Sequence, residues 1–337
     1  MLLPIMKPRF FTENSFWNQP IMEGTAVDPQ SERMIAQLAD RSRAGTGPLF
    51  LNMHQFTVPV YYVDDATPKR RVRQKRHEPA PEARAPEILE MRHALYNLHP
   101  EFGEEMPLPE GAVPDPMGDA HLCVVHTGTG EIWDMWSARV RDDGDVEAFC
   151  GIRYSNDWSG VWSVDEFPVK DNESIHYHGP SRAAGTPLPA GLILREELLD
   201  GRIEHKLAFA CWNNQKQRFL PPACWTDGFG DFGIPEGAVL QLDPDLDLAG
   251  LNLCPAALTI ARAMQEYGLV DVDNAKGNCL YAEGLYGKTG ESWEGILAPN
   301  DLAAIPVNAL RVLKLEGVIE RGDDPGKLLE ERRAQGL

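Results

Sequence analysis

The sequence predicts a mainly β protein, a β-sandwich or jelly-roll-like domain decorated with several short helices. Three observations support this fold class. Glycine (30 residues) and proline (27 residues) are both plentiful, short runs of β-branched and aromatic residues recur between turn signals, and long helical periodicity is scarce. The 337 residues, with a hydrophobic fraction of 43%, are enough to bury a substantial core.

The N-terminal part of the chain predicts one helix and one edge strand. Asp28 and Pro29 occupy the positions of an N-cap and a first-turn proline, which indicates a helix that runs to about residue 43. Residues 56–63 form an apolar, aromatic run that is typical of a strand. Pro59 lacks a backbone donor, so it places this strand at the edge of a sheet.

The rest of the chain alternates strands with short helices. The glycine turn at residues 127–130 joins two strand patterns as a hairpin. The pattern predicts strands over residues 120–126, 131–137, 144–154, 203–212 and 238–242, and helices over residues 189–199 and 255–267.

Nothing in the sequence marks a strong internal boundary, so we expect one β-rich domain over residues 1–337. Residues 64–117 are expected to be an insertion or an extended linker, and residues 324–337 a terminal helix. The basic run at residues 69–76 favours a solvated strand, or an electrostatic partner for the acidic bulk of the protein, over a nucleic-acid site. The pentapeptide Pro-Glu-Gly-Ala-Val occurs at residues 109–113 and 235–239. It indicates a turn before a strand and is too short to be called a repeat.

The net charge and the hydropathy of the chain limit the kinds of partner that the protein is expected to bind. The net charge of −19 disfavours nucleic acid and anionic membranes, because both require clustered cations. Neutral or cationic ligands suit this charge better. No run of eighteen apolar residues predicts a transmembrane helix. The first residues lack the features of a signal peptide, so we expect a cytoplasmic protein, or a secreted one whose leader is missing from this sequence.

The cysteines indicate no structural zinc site, because none of the six belongs to a Cys-x-x-Cys pair. Cys211 and Cys224 bracket what looks like a hairpin or loop. They could form a disulfide in an exported protein, or they could be buried free thiols.

Carboxylates and histidines near predicted strand ends are candidates for general acid–base catalysis. Asp119 and His121 are two residues apart, so on a strand they would project from the same face. A carboxylate that orients an imidazole makes a proton shuttle, and two carboxylates in different environments make an acid and a base. The candidates are Asp119, His121, His205, Asp227 and Asp273, with Glu283 as a further carboxylate that could contact substrate.

A metal site is a separate hypothesis. His176 and His178 form a His-x-His pair, and such a pair can present two imidazoles to a divalent metal. The third ligand could come from His205, Asp227 or Asp119. No other cofactor is indicated.

Aromatic side chains could bind a glycan. Trp158 and Trp162 lie in a segment with loop-like composition, and Tyr154 precedes it. Tryptophan faces stack well on sugar rings, although core packing explains the same residues.

Taken in order, several pieces of the chain resemble a group of bacterial, largely actinobacterial proteins that are usually exported and often sit beside carbohydrate-binding modules. The resemblance implies a β-sandwich-like domain that acts on extracellular glycan. It singles out Asp119, His121, His205, Asp227 and Asp273 as matching polar positions, and His176 and His178 fall where the pattern has small residues. The pieces are residues 15–21, 119–121, 132–136, 184–193, 203–205, 226–228, 261–268 and 272–273.

These observations lead to a polysaccharide-active enzyme as the main hypothesis, with polysaccharide or oligosaccharide as its substrate. A glycoside hydrolase would use Asp119 with Asp227 or Asp273 as its acid–base pair, positioned by His121 and His205. A polysaccharide lyase would use His205 or His121 as the base and Tyr154 or Tyr177 as the acid. Two further hypotheses are a non-catalytic glycan-binding module and a metal-dependent enzyme centred on His176 and His178.

Overall fold

The computed structural model describes residues 9–40, 42, 46–75, 97–164 and 181–320. Within these ranges the protein is mainly β with a few short helices, which confirms the predicted fold class. The α-helices are α1 (Ser31–Ala39), α2 (Arg195–Asp200) and α3 (Pro255–Glu266). The strands are β1 (Leu49–Asn52), β2 (Val60–Val63), β3 (Lys69–Gln74), β4 (Glu105–Pro107), β5 (Leu122–His126), β6 (Glu131–Trp136), β7 (Arg139–Val140), β8 (Val146–Ala148), β9 (Cys150–Ser155), β10 (Leu207–Cys211), β11 (Arg218–Phe219), β12 (Val239–Leu242), β13 (Leu269–Asn274), β14 (Asn278–Tyr281), β15 (Leu310–Val312) and β16 (Ile319–Glu320).

The large sheet has six strands in the order β1-β14-β10-β13-β12-β15. Its central strand β10 runs parallel to β13 and antiparallel to β14. Every residue of β10 is buried, because helices cover one face of the sheet and a second sheet covers the other. A strand that is buried on both faces is a continuous apolar run rather than an alternating one, as this strand is.

Helices α1 and α3 pack on one face of the large sheet. In α3, Pro255 is the first helical residue, and the thiol of Cys254 accepts a hydrogen bond from the Ala257 N–H at 3.4 Å. The apolar residues of both helices recur at helical spacing and meet the sheet in a helix-side core. This core includes Met34, Ile35, Leu38, Leu49, Leu51, Phe209, Leu240, Ala257, Ile260, Met264, Leu269 and Leu280.

The other face of the large sheet packs against a second sheet, in the order β2-β5-β6-β9. The two sheets enclose an inter-sheet core and form a sandwich-like pair. This core includes Val60, Cys123, Val125, Ile132, Ala208, Ala210, Val270, Val272, Cys279 and Tyr281. A third sheet, in the order β4-β3-β8-β7, packs on the outer face of the second sheet through Val72, Leu122, Val124, Trp133, Met135 and Val146.

Several predicted elements are confirmed, some with shorter bounds. Strand β2 lies at a sheet edge, and β5 and β6 form the predicted hairpin. The expected strand over residues 144–154 divides between β8 and β9, which belong to different sheets. The jelly-roll arrangement is not confirmed, since four strand pairs are parallel.

Two of the three helices predicted to begin at prolines start later than expected, whereas α3 begins at Pro255 as predicted. Helix α1 begins at Ser31, because Asp28 accepts a hydrogen bond from the Gln30 N–H and so closes a turn before the helix. Helix α2 begins at Arg195 rather than at residue 189. Gly191, which has a φ of 71°, is part of a turn that crosses over β10.

The described parts of residues 64–117 contribute β3 and β4 to the third sheet. Strand β3 is mostly exposed, with only Val72 buried, and Arg73 forms an ion pair with Asp145. The expected helix over residues 324–337 lies outside the described residues. No helix in the described part of the chain is long and apolar enough to cross a membrane.

Candidate active site

Asp273 occupies a β-bulge near the end of β13. Asp271 pairs with Phe209 of β10, but the next residue of β10, Ala210, pairs with Asp273. Val272 is therefore the extra residue, and Asp273 lies on the same side of the sheet as Ala210, toward the inter-sheet core. Its carboxyl group is half-buried there, beside Cys279 and Tyr281.

Asp227 approaches this position from a loop. It is exposed, and its carboxylate accepts a hydrogen bond from the side-chain amide of Asn274, the last residue of β13. The loop is fixed at Gly228, where a Cβ atom would lie 2.5 Å from the Gln215 carbonyl oxygen. A side chain at that position would push the loop away from the strand end.

Asp119 reaches the same site from the second sheet. It lies just before β5, and its carbonyl oxygen accepts a hydrogen bond from the Ser137 N–H at 2.7 Å. Its half-buried carboxylate accepts a hydrogen bond from the indole of Trp136. The structure thus brings together three predicted residues, one from each sheet and one from a loop.

The pKa of Asp273 is affected by both of the other aspartates. Burial raises the pKa of Asp273 well above its usual range, and the negative charges of Asp227 and Asp119 raise it further. Burial also raises the pKa of Asp119, against the hydrogen bond from Trp136. The pKa of Asp273 is therefore higher than that of an ordinary carboxyl group, and the exposed Asp227 side chain is one of the charges that raise it.

Two carboxyl groups that we did not single out from the sequence extend this cluster inward. Glu236 is fully buried, and burial followed by the charge of Asp227 raises its pKa well above the usual range. Asp271 is also fully buried, and burial raises its pKa to about 8. The Cys211 thiol at 3.1 Å and the Asn214 amide at 2.7 Å both donate hydrogen bonds to Asp271.

Arg182 supplies positive charge next to the cluster. Its guanidinium is 1% exposed, donates a hydrogen bond to the Leu188 carbonyl oxygen at 2.8 Å, and lies 4.5 Å from the ring centre of Tyr281. The Arg182 charge acts against the rise in the pKa of Asp273. Arg182 lies two residues before the segment 184–193 that carries the sequence resemblance, and this was the only sequence signal for it.

His121 lies deeper than Asp119 and faces other partners. Ala120 has a φ of 41°, so the chain turns between the two residues and they do not project together as strand neighbours. His121 is 4% exposed, and its Nε2 atom lies 3.3 Å from the Ser181 carbonyl oxygen. Burial and the nearby Arg182 charge lower the pKa of His121 to about 4, so its imidazole is neutral at physiological pH.

His205 pairs with a residue of helix α2. Its Nε2 atom lies 3.0 Å from Oε1 of Glu197, and its Nδ1 atom lies 2.8 Å from the Lys206 carbonyl oxygen. Burial lowers the pKa of His205, but the Glu197 carboxylate outweighs this effect, and the net pKa is raised. Phe10, Phe11 and Trp17 line a small cavity together with His205.

The tryptophans considered for sugar stacking, Trp158 and Trp162, pack against each other. The ring centres of Trp158 and Trp162 are 4.6 Å apart, and Tyr154 packs edge-on against both. Trp162 is 8% exposed, and the Tyr154 hydroxyl donates a hydrogen bond to buried Asp134 at 3.2 Å. Little of this cluster is presented to solvent.

Another aromatic pair does reach the surface at the end of β10. Trp212 directly follows the strand, and its ring centre lies 4.9 Å from that of Phe229 in an edge-on contact. Phe229 is 49% exposed and lies two residues after Asp227. We did not single out either residue from the sequence.

Glu283 is held in an ion pair. It lies two residues after the end of β14 and is 4% exposed, and the ammonium group of Lys288 donates a hydrogen bond to it. The Arg195 N–H adds a second hydrogen bond at 3.3 Å. Glu283 therefore links the start of α2 to the end of β14.

His176, Tyr177 and His178 lie outside the described residues. Among the side chains that the structure does describe, no three His, Cys, Asp or Glu residues are arranged to hold a metal ion. Cys211 and Cys224 form no disulfide, since the Cys211 thiol donates to Asp271 and the Cys224 thiol donates to the Gly185 carbonyl oxygen.

Comparison with known proteins adds no relative. No protein-family model matches this chain, and no curated protein or solved structure matches it. The resemblance described from the sequence stays a prediction.

Proposed function

We propose that this protein is a polysaccharide-active enzyme, a glycoside hydrolase in which Asp273 is the general acid and Asp227 is the base or nucleophile. The observation that carries the proposal is the contrast between these two neighbours. Asp273 is half-buried and its pKa is raised well above the usual range, whereas Asp227 is exposed to water. Glycoside hydrolysis requires such a pair, with one carboxyl group protonated and the other ionised.

The surroundings support a role for each group. Asp273 can donate its proton to the leaving glycosidic oxygen, since the nearby Asp227 and Asp119 charges keep that proton bound until the bond breaks. Asp227 is held by the Asn274 amide and can stabilise positive charge that develops on the sugar ring or activate a water molecule. Asp119 adds negative charge at the same place, which favours an oxocarbenium-like transition state.

The substrate class follows from charge and shape. A net charge of −19, with the negative charges of Asp119 and Asp227 at the site, repels uronic acids, so a neutral or amino-bearing glycan is the better substrate. The exposed Phe229 ring, supported by Trp212, offers an apolar face beside Asp227 for a sugar ring.

The test is a screen against neutral and acidic polysaccharides that measures both reducing ends and the ultraviolet absorbance of unsaturated products. New reducing ends without unsaturated products support a hydrolase. Unsaturated products from uronic-acid polymers would instead support a lyase. Binding without any product would support a non-catalytic glycan-binding module, for which the Phe229–Trp212 pair is the supporting observation.

A further inference from the structure

Glu236 is a buried carboxyl group surrounded by other acids. It is 0% exposed, and neither of its oxygen atoms accepts a hydrogen bond from an N–H or O–H donor in the described structure. Titratable groups that interact electrostatically with Glu236 include Asp227 from the loop, Asp271 and Asp273 from β13, and Cys211 from β10. None of these groups supplies a positive charge.

The backbone holds Glu236 firmly in this place. Its carbonyl oxygen accepts a hydrogen bond from the Leu220 N–H at 3.0 Å, and the Gly237 N–H donates to the Asp271 carbonyl oxygen at 2.7 Å. Gly237 has a φ of 87°, and a Cβ atom there would lie 1.7 Å from the Leu220 carbonyl oxygen. The chain therefore passes so close to its neighbours that the Glu236 side chain cannot swing out to water without a larger opening.

A carboxylate in this position would be strongly unfavourable. Burial strongly disfavours an isolated charge, and a buried acid avoids this cost by keeping its proton. The one hydrogen bond available to the Glu236 side chain in the described structure is with the carboxyl group of Asp227. Two carboxyl groups can form that bond only when they share a proton.

The geometry points to Glu236 as a positioning residue that stays protonated, donates a hydrogen bond to Asp227 and so orients that carboxylate for the reaction. Its role in the reaction rests on the proposed function, whereas the shared proton does not. Asp227 would then be held from two sides, by the Asn274 amide and by the Glu236 carboxyl group. Glu236 itself does not touch the substrate, since it is fully buried.

The chain contains a matched control for this residue. Glu110 lies in the same pentapeptide, Pro-Glu-Gly-Ala-Val, and its side chain is exposed. The two glutamates thus share their local sequence and differ in burial. Any effect that is specific to Glu236 comes from its surroundings and not from the turn.

The first test is the infrared spectrum at neutral pH, which separates protonated carboxyl groups from carboxylates. We expect Glu236→Gln to remove a protonated-carboxyl band and Glu110→Gln to remove a carboxylate band. Loss of a carboxylate band in both variants would overturn the proposal. This measurement needs no substrate.

The second test follows the carboxyl carbon of Asp227 by nuclear magnetic resonance, with the signal assigned from Asp227→Asn. The amide of Glu236→Gln still donates a hydrogen bond, so we expect the Asp227 signal to stay near its wild-type position. Glu236→Leu removes the donor and should move the signal, whereas Glu110→Leu should not. If the Asp227 signal stays at its wild-type position in Glu236→Leu, the hydrogen bond between the two side chains is ruled out. If Glu236→Leu does not fold, the infrared comparison of the glutamine variants decides.

Kinetic assays distinguish a failure of the positioning role of Glu236 from a failure of the proposed hydrolase function. On a substrate found by the screen, Glu236→Leu should lower kcat by about tenfold or more with little change in KM, and Glu236→Gln should retain kcat within about threefold. Equal kcat in both variants and the wild type would refute the positioning role. If instead Asp227→Asn keeps full activity, the proposed function fails, and the infrared result still decides the shared proton.

Discussion

Asp273 lies opposite Ala210 in the pairing of β13 with β10, one residue out of step with the pairing of Asp271 with Phe209. This bulge turns Asp273 toward Asp119 on the second sheet and leaves Asp271 with Cys211. Without the extra residue, strand alternation would place Asp271 and Asp273 on one face. The catalytic role proposed for Asp273 depends on this single irregularity.

Replacement of the proposed acid should therefore abolish most of the activity. Asp273→Asn preserves the shape of the side chain but has no proton to transfer to the leaving oxygen. We expect kcat to fall by about 10² to 10⁴-fold with a small change in KM, and Asp227→Asn to have a loss of the same order. Asp142→Asn, an exposed residue in the β7–β8 turn, should remain fully active. Reducing-end assays with purified, folded variants provide the measurement, and an active Asp273→Asn would exclude the general-acid role.

The local sequence could not predict how the second sheet packs on the large sheet. Strands β5, β6, β10 and β12 were predictable, since each is a short apolar run between turn signals. Asp119, Asp227 and Asp273 were singled out as polar residues beside such strands. Their meeting depends on how the second sheet packs on the first, which is a property of long-range contacts.

The same limit explains the residues that sequence reasoning missed or assigned differently. Glu236 and Glu110 have identical local sequences, so nothing in the pentapeptide shows that only Glu236 is buried. Asp119 and His121 have the spacing of strand neighbours, but the positive φ of Ala120 separates them. The composition around Trp158 and Trp162 predicted a loop, and the segment is one, but composition could not show that the two rings pack on each other.

The exposed ring beside Asp227 predicts a defect in substrate binding. Phe229→Ala removes the apolar face for a sugar ring, and aromatic contacts of this kind contribute about 1 kcal/mol. We expect KM to rise by about three- to tenfold with kcat nearly unchanged. Leu199→Ala removes another exposed apolar side chain, on α2, and should leave KM unaltered. An unchanged KM in Phe229→Ala would place the sugar elsewhere.

The His205–Glu197 pair predicts a pH-dependent contribution to stability. The pKa of His205 is raised, so the charged pair stabilises the folded state fully below the unfolded value of about 6.5 and loses this effect as pH rises through the folded pKa. Removal of the imidazole in His205→Ala should lower the free energy of unfolding by about 1–2 kcal/mol at about pH 6, and by less at about pH 9. Urea unfolding at the two pH values measures this difference.

A suitable control for this pair is His54→Ala, since His54 is exposed. Its free energy of unfolding should match the wild type at both pH values. We also expect His205→Ala to retain its kcat, because the partners of His205 are Glu197 and the Lys206 carbonyl group. If His205→Ala instead has a much lower kcat and an unchanged free energy of unfolding, His205 is a catalytic residue, as the sequence predicted.

Buried Asp134 predicts a second pH-dependent contribution to stability, which has the same direction as that of His205. It accepts hydrogen bonds from Ser181, Leu188 and Tyr154, yet burial outweighs them and raises its pKa to about 6. A raised carboxyl pKa contributes stability that is greatest below about pH 4 and is lost as pH rises to about 6. A rise of the pKa from its usual value near 4 to about 6 corresponds to about 3 kcal/mol.

The variant Asp134→Asn carries no charge at either pH, so the comparison isolates this group. It should be less stable than the wild type by a margin that is larger at about pH 4 than at about pH 7, as measured by chemical denaturation. Other buried acids titrate in both proteins and cancel in the difference. A margin that grows with rising pH would show that the folded protein favours ionised Asp134.

The Glu283–Lys288 pair distinguishes a structural carboxylate from one that contacts substrate. Both side chains are largely buried, with 6% and 10% exposed, so removal of one charge leaves the other without compensation. Lys288→Met should lower the free energy of unfolding by about 3–5 kcal/mol, and the additional change Glu283→Gln should restore most of this loss. Urea denaturation of both single variants and the double variant gives the coupling energy.

The double variant keeps the fold and lacks the carboxylate, so we expect it to retain the wild-type KM. A raised KM in that protein would instead assign Glu283 to substrate binding.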